Sequence, residues 1–120
     1  MDLADLREIC MKFPGVTEGM PFGPEVLVYK AGSKIFAILS ETDGIASISL
    51  KCDPFIAQHL RQTYPAIQPG YHLNKKHWNT LVSDGTVPDE EVHKMIEHSY
   101  SLVLKSLPRA ERETIPPMDK

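Results

Sequence analysis

Three short strand-like runs, joined by two-residue turns, constrain the fold of this chain more than any other feature. The runs are Val26 to Ala31, Lys34 to Glu41 and Ile45 to Lys51. Gly32-Ser33 and Asp43-Gly44 separate them, and both pairs suit the tight turns of β-hairpins. Because connections this short join only antiparallel neighbours, the sequence predicts an antiparallel meander.

A second hairpin is predicted further along the chain. Its strands are expected over Gly70 to Leu73 and over His77 to Val82, where Trp78, Thr80 and Val82 alternate with Asn79 and Leu81. The polar segment Asn74-Lys75-Lys76 lies between them and is predicted to form the tip. Trp78 is interpreted as the residue that anchors this hairpin to the core.

Amphipathic patterns predict three helices. The first begins behind Asp2, a favourable N-cap. The second begins at Asp53-Pro54 and runs to about Thr63, and the third opens at Pro88 and ends before Pro108. The predicted class is therefore α+β, with the order helix, three strands, helix, two strands, helix, and an antiparallel sheet that carries the helices on one face.

Two segments are predicted to lack regular structure. Residues Val16 to Glu25 are rich in Gly and Pro and are expected to form a loop that packs Met20 and Phe22 against the core. Residues 109 to 120, with their acidic side chains and Pro116-Pro117, are expected to form a flexible C-terminal tail. A single domain is thus predicted over residues 1 to 108.

The composition is that of a globular protein. The 120 residues are 42% hydrophobic and 24% charged, enough to bury one core. No apolar run approaches the roughly twenty residues of a membrane span, and the acidic N-terminus is unlike a signal peptide. The sequence therefore predicts a cytoplasmic protein that does not associate with membranes, with Cys10 and Cys52 as reduced thiols.

The charges are distributed unevenly along the chain. The net charge is −3, but residues 51 to 82 hold four basic residues against Asp53 alone. An acidic protein repels nucleic acid at long range, so a polyanion site has to be a local patch. The middle third offers such a patch, although a solvated surface would have the same composition.

Motifs for catalysis or metal binding are weak. His93 and His98 are five residues apart and fall on different faces of the third helix, and His72 and His77 lack an obvious third ligand. Glycine-rich phosphate-binding loops are absent from the sequence. We therefore predict no enzyme activity, no cofactor and no metal site.

One stretch favours nucleic-acid binding. Residues Tyr71 to Trp78 contain a tyrosine, two histidines, two lysines and the single tryptophan of the chain. Lysines neutralise phosphates and aromatic rings stack on bases or sugars. An edge hairpin with a lysine-bearing tip would show the same composition, so both interpretations stay open.

Several short motifs of this chain also occur in a known family. They are Phe13-Pro14-Gly15, Pro21-Phe22-Gly23, Lys34-Ile35-Phe36-Ala37, Leu50-Lys51-Cys52-Asp53-Pro54 and the run from Pro69 to Trp78. Together they resemble the MmcQ/YjbR family of small bacterial proteins over about residues 1 to 108. The resemblance implies a fold similar to that of the CyaY-like proteins and the "double wing" mode of DNA binding proposed for the family.

Applied to this sequence, the resemblance makes the hairpins around Gly32 and around Lys75 the two wings. It implies that lysines of both tips contact the phosphates of double-stranded DNA and that Tyr71 contacts a sugar. The predicted nucleic-acid-binding residues are Lys30, Lys34, Lys51, Tyr71, Asn74, Lys75, Lys76 and His77.

Three functions are therefore weighed. The first is a DNA-binding protein without catalytic activity. The second is a protein- or ligand-binding adaptor that uses an exposed sheet edge or a groove. The third, an enzyme, would depend on Cys52 and His59, the one thiol and imidazole that lie close together in the sequence.

Overall fold

A six-stranded antiparallel sheet forms the frame of the computed structural model, which describes residues 1 to 117. The strands are β1 (Val16–Gly19), β2 (Val26–Ala31), β3 (Lys34–Thr42), β4 (Ile45–Lys51), β5 (Ile67–Pro69) and β6 (Trp78–Val82). Their order in the sheet is β1-β2-β3-β4-β6-β5. The helices are α1 (Leu3–Met11), α2 (Pro54–Thr63), α3 (Asp89–Ser106) and α4 (Arg109–Arg112). The predicted α+β class is confirmed.

The register of the strands separates a covered face from an open face. Leu39, Ile48 and Leu81 are paired across β3, β4 and β6 and are fully buried within the core beneath α1, α2 and α3. The neighbouring row, which includes Ser49 and Thr80, points to the opposite side. This alternation follows from the period of two in a strand, and it gives the molecule two layers.

A buried serine joins α3 to the sheet. The last β3–β4 pair at one end is Ala37 with Leu50, and the preceding residue of β3, Phe36, lies at a register shift between β2 and β3. The Ser99 hydroxyl links β3 to β4 beyond this last pair, because it donates to the Phe36 carbonyl at 2.6 Å and accepts from the Lys51 N–H at 2.9 Å. One side chain therefore satisfies two backbone groups that would otherwise be buried without partners.

The structure corrects the predicted loop between α1 and β2. Residues Val16–Gly19 form an edge strand, because their backbone pairs with Val28 to Ala31 of β2. Met20 and Phe22, which were predicted to pack against the core, are exposed instead. This correction extends the meander from three strands to four.

The structure also corrects the second hairpin and the tail. The first strand of that hairpin is Ile67–Pro69 and not Gly70 to Leu73, so the connection to β6 is an eight-residue loop. Residues Arg109–Arg112 form a short helix where a flexible tail was predicted. The last three residues of that predicted tail, 118 to 120, lie outside the described residues.

Candidate nucleic-acid interface

The topology brings the predicted site residues to one end of the sheet. The β2–β3 turn, the last residue of β4 and the β5–β6 loop all lie at this end, because Lys51 pairs with Trp78 at the start of β6. We call it the tip end, defined by Gly32-Ser33, Lys51 and the loop from Gly70 to His77. The two tips are three strand positions apart, or roughly 14 Å.

The β5–β6 loop is a folded structure with its own hydrogen bonds. Its backbone makes two turns, in which Leu73 N–H donates to the Gly70 carbonyl at 3.4 Å and His77 N–H donates to the Asn74 carbonyl at 3.2 Å. The Asn74 carboxamide oxygen accepts from the backbone N–H of Lys76 at 2.9 Å. Asn74 therefore shapes the loop, while the side chain of Lys76 extends into solvent.

An aromatic side chain, Tyr71, and a basic one, Lys75, complete the exposed surface of this loop. Tyr71 is 72% exposed and its ring lies 3.9 Å from that of His72. The Lys75 ammonium donates to the Gly70 carbonyl at 3.0 Å, a bond that leaves further N–H donors of the same group available. The loop thus presents the Tyr71 ring together with the ammonium groups of Lys75 and Lys76.

Arg61 of α2 fixes the loop to the body of the protein. Its guanidinium donates to the buried Asn79 side chain at 2.6 Å and to the carbonyls of Lys75 and Trp78, the latter at 3.2 Å. Asn79 in turn donates to the Ala57 carbonyl of the same helix at 3.3 Å. The second tip is therefore held by charge-assisted hydrogen bonds, which are the stronger kind.

Gly70 allows the loop to approach β6 closely. A Cβ atom at this position would lie 2.7 Å from the Cβ of Trp78, closer than side chains approach one another. At the other side of the loop, the Cys52 N–H donates to the His77 carbonyl at 2.7 Å. His77 therefore acts through its backbone and joins the loop to the end of β4.

The first tip is covered by other parts of the chain. The Glu111 carboxylate of α4 accepts hydrogen bonds from the Ser33 backbone N–H and from the Ser33 hydroxyl, the latter at 3.0 Å. The Lys34 ammonium donates to the Ser106 carbonyl at 2.8 Å and so caps the negative end of α3. This tip consequently offers less free charge than its sequence implies.

The remaining two lysines lie on the open face of the sheet. Lys30 pairs with Thr17 and Ile35, and Lys51 pairs with Trp78. Both lysine side chains are half-buried. Trp78 also belongs to this open face, so the interpretation of Trp78 as a core anchor is wrong.

No carboxylate among residues 1 to 117 forms an ion pair with a site lysine. Within residues 1 to 117 every ion pair involves a cation outside the set, namely Arg7, Lys12, Lys94 or Arg109. None of the five site lysines has a carboxylate oxygen within 4.0 Å in this part of the chain. The five site lysines are Lys30, Lys34, Lys51, Lys75 and Lys76.

The thiols are not activated. Burial raises the pKa of Cys10 to about 12 and that of Cys52 to about 11, so both are protonated at neutral pH. The described residues contain no cluster of three His, Cys, Asp or Glu side chains that could hold a metal ion. No helix among them is both long and apolar enough to cross a bilayer.

Sequence reasoning missed three residues of this region. Arg61 is the single arginine of residues 51 to 82, which is a weak signal for its anchoring role. Phe55 is 83% exposed at the start of α2, and sequence reasoning assigned it no role. The sequence gives no signal for the bridging role of Ser99, because that role depends on how α3 packs on β3 and β4.

Comparisons with known proteins identify relatives along nearly the whole chain. The YjbR family model matches residues 11 to 102. The uncharacterized protein YbdF of Escherichia coli O157:H7 is 36% identical over 121 residues, covering 98% of this chain and 99% of that protein. The uncharacterized protein YjbR of Escherichia coli K12 is 30% identical and covers 96% of this chain and 98% of that protein.

Solved structures give the same result. The crystal structure of the Deinococcus radiodurans protein DR2400, with a domain described as DUF419, is 42% identical and superposes with a TM-score of 0.87. That match covers 95% of this chain and 88% of the other. A crystal structure of a Pseudomonas syringae protein is 26% identical, with a TM-score of 0.75, and covers 86% of this chain and 99% of that one.

Proposed function

The chain belongs to the YjbR family, and we propose that it binds double-stranded DNA through the tip end of its sheet, without catalysing a reaction. Five lysines at this end, none of them paired with a carboxylate within residues 1 to 117, carry the proposal. An ammonium group that is not paired with a carboxylate can neutralise a phosphate without first breaking an ion pair. Their placement at one end of the sheet supports the proposal of a local positive patch on a molecule whose net charge is −3.

The two tips divide the contacts unequally. Lys75 and Lys76 of the exposed loop, together with Lys51 and Lys30, are proposed to contact phosphates. Lys34 contributes less because its ammonium already caps α3. The separation of roughly 14 Å between the tips is comparable to the major groove width of about 12 Å, which allows contacts on both sides of one groove.

Salt dependence provides the direct test. Four phosphate contacts predict that log affinity falls with log salt concentration with a slope of roughly −3.6, or about −0.9 per contact. A labelled duplex is titrated with the protein at several salt concentrations and followed by fluorescence anisotropy. Affinity that does not change with salt, or no binding at roughly 10 µM protein in low salt, rejects the proposal.

A matched pair of variants locates the contact. Lys76→Gln removes an exposed ammonium at the second tip, and Lys94→Gln removes one that already pairs with Glu90 and Glu91 at 3.8 and 3.7 Å. Both lower the net charge by one unit. We expect the slope to become shallower by roughly 0.9 for Lys76→Gln and to stay unchanged for Lys94→Gln. Equal effects would assign binding to net charge and not to the tip end.

An adaptor role is the second candidate function, and exposed aromatic residues favour it. Phe55 and Tyr71 are both largely exposed beside the tip end, and exposed aromatic side chains often form the centre of protein interfaces. Affinity capture from a lysate with and without nuclease separates the two functions. Bound proteins that survive nuclease treatment favour the adaptor, and their loss favours DNA binding.

A further inference from the structure

The open face of the sheet is left uncovered by α1, α2 and α3, which pack on the other face. Along β6, Leu81 of the covered face is 1% exposed, whereas Trp78 and Thr80 of the open face are half-buried. Lys51 at the end of β4 is also half-buried, and Val82 at the end of β6 is 37% exposed. The side chains of the open face are therefore within reach of a binding partner.

The charged strand residues give the open face a positive charge. Among the strands of the described chain, the carboxylates belong to Glu18 and Glu41, and both pair with buried residues of the covered face. The charged strand residues of the open face are Lys30 and Lys51. This face is therefore suited to a negatively charged partner, although the chain as a whole is acidic.

Both lysines lie at the edge of the open face that borders the tip end. Lys51 is the last residue of β4 and pairs with Trp78, the first residue of β6. Lys30 is the penultimate residue of β2, two strand positions from Lys51, or roughly 10 Å away. Two ammonium groups and an indole ring thus share one edge of the sheet.

A second aromatic residue approaches the same edge from the β5–β6 loop. The Tyr71 N–H donates to the Thr80 hydroxyl of the open face at 3.1 Å. Thr80 follows Trp78 by two residues in β6, so the two side chains lie on the same face. Because Tyr71 is 72% exposed, its ring is available to a ligand at this edge.

The hydroxyl groups at the centre of the open face are engaged with one another. The Ser49 and Thr80 hydroxyls lie 2.8 Å apart, and those of Ser40 and Ser47 lie 3.1 Å apart. The main contacts that this face offers a ligand are therefore aromatic rings and ammonium groups. Contacts of this kind bind a nucleic-acid strand with little dependence on its base sequence.

These features fit an unpaired strand better than a duplex or a second copy of the chain. A duplex keeps its base faces stacked inside the helix, whereas an unpaired strand exposes them to aromatic side chains. A two-fold contact between the open faces of two copies would bring four ammonium groups together, because each copy contributes Lys30 and Lys51. Charge therefore favours the polyanion.

We propose that the open face binds an unpaired strand of DNA, with phosphates at Lys30 and Lys51 and bases stacked on Trp78 and Tyr71. The inference rests on the proposed function for its ligand class, and it adds a second surface that continues from the tip end across the sheet. Stacking supplies an affinity that depends on the bases, and the lysines supply one that depends on the phosphates.

A pair of strands with equal numbers of phosphates tests the stacking. The first is an oligothymidylate of about twelve nucleotides, and the second is an abasic strand of the same length. We expect the oligothymidylate to bind at least about fivefold more tightly and to quench the fluorescence of Trp78, the single tryptophan of the chain. Equal affinities, or fluorescence that saturating oligothymidylate leaves unchanged, would overturn the proposal.

Variants of the ring locate the contact. Trp78→Leu should weaken oligothymidylate binding at least about fivefold and leave abasic-strand binding unchanged, which also shows that the variant is folded. Trp78→Phe retains a ring and should keep most of the affinity. Phe22→Leu is the control, because Phe22 is 68% exposed in the β1–β2 connection at the opposite end of the sheet. Equal effects of Trp78→Leu and Phe22→Leu would reject the open face.

A fully paired duplex of the same length separates this inference from the proposed function. If the duplex binds but the oligothymidylate binds no better than the abasic strand, the open-face proposal fails and the tip-end proposal stands. If the oligothymidylate binds and quenches Trp78 while the duplex does not bind, the opposite holds. An RNA strand of the same length that bound more than tenfold more tightly than the DNA strand would overturn the assignment to DNA.

Discussion

The two hairpin tips of the sheet end in similar residues but are built differently. Both have a glycine and nearby lysines, yet the first tip is a two-residue turn clasped by Glu111, and its Lys34 caps α3. The second tip is an eight-residue loop that is held from behind by Arg61 and keeps Lys76 and Tyr71 in solvent. The difference teaches that the availability of a lysine depends on what the fold places beside it and not on its position in a motif.

Removing Arg61 should have the largest effect, because it detaches the second tip from its support. Arg61→Met deletes hydrogen bonds to Asn79 and to two backbone carbonyls and leaves the buried Asn79 oxygen without its donor. We expect the free energy of unfolding to fall by about 3 kcal/mol, measured by urea denaturation. Arg109→Met is the control, because that guanidinium is exposed and bonds only Glu113 among the described residues. A loss below about 0.5 kcal/mol for Arg61→Met would contradict the anchoring role.

Removing the charges of the second tip should have the next largest effect. The double variant Lys75→Gln with Lys76→Gln removes two of the four proposed phosphate contacts. We expect the salt slope of DNA binding to become shallower by roughly 1.8. Lys34→Gln at the first tip should change it by much less. If the two tips contributed equally to the slope, the contrast between them would fail.

The cap that Lys34 provides can be measured through stability. Lys34→Met removes a cation and two hydrogen bonds at the C-terminus of α3. Favourable charges at a helix end contribute about 0.3 to 1 kcal/mol, so the free energy of unfolding should fall by that amount. Lys76→Met should leave stability unchanged, because its ammonium makes no hydrogen bond or ion pair with residues 1 to 117. Equal losses would show that Lys34 is no more engaged than Lys76.

The smallest expected effect comes from opening the first tip. Glu111→Gln removes the negative charge that faces Ser33 and lies next to Gly32. Because one repulsive charge is lost at the partly screened surface, DNA affinity should rise about two- to threefold at low salt. Glu113→Gln on the same short segment is the control and should change affinity less. A decrease in affinity for Glu111→Gln would indicate that α4 helps DNA binding.

Much of the fold could be predicted from the sequence. The bounds of β2 and β4 match the predicted runs, and α2 ends at Thr63, because each signal was local. β1 was missed because its four residues adopt strand geometry by pairing with β2, a long-range effect. The position of β5 was predicted wrongly, because a proline was not expected in a strand. Pro69 fits there because β5 is an edge strand, where the missing N–H costs little.

The location of the predicted site residues at one end of the sheet could be predicted from the sequence, but their environment could not. The strand order follows from the hairpins, and it brings Lys51 beside the second tip. The hydrogen bond of Lys34 depends on where α3 ends. The contact of Glu111 next to Gly32 depends on a four-residue helix, which is too short to be predicted from a periodic pattern. Which lysines of the tip end are free to contact a ligand could therefore be read only from the three-dimensional structure.

The Ser99 bridge has a consequence for how the protein assembles. Because its hydroxyl completes the pairing between β3 and β4, the meander cannot finish its hydrogen bonding at this point until α3 has docked. A hairpin formed early in folding would keep the Phe36 carbonyl and the Lys51 amide hydrated until the last helix arrives. Completing the sheet and excluding water beneath α3 thus become a single cooperative step. Formation of the tip end is thereby coupled to docking of the C-terminal third of the chain.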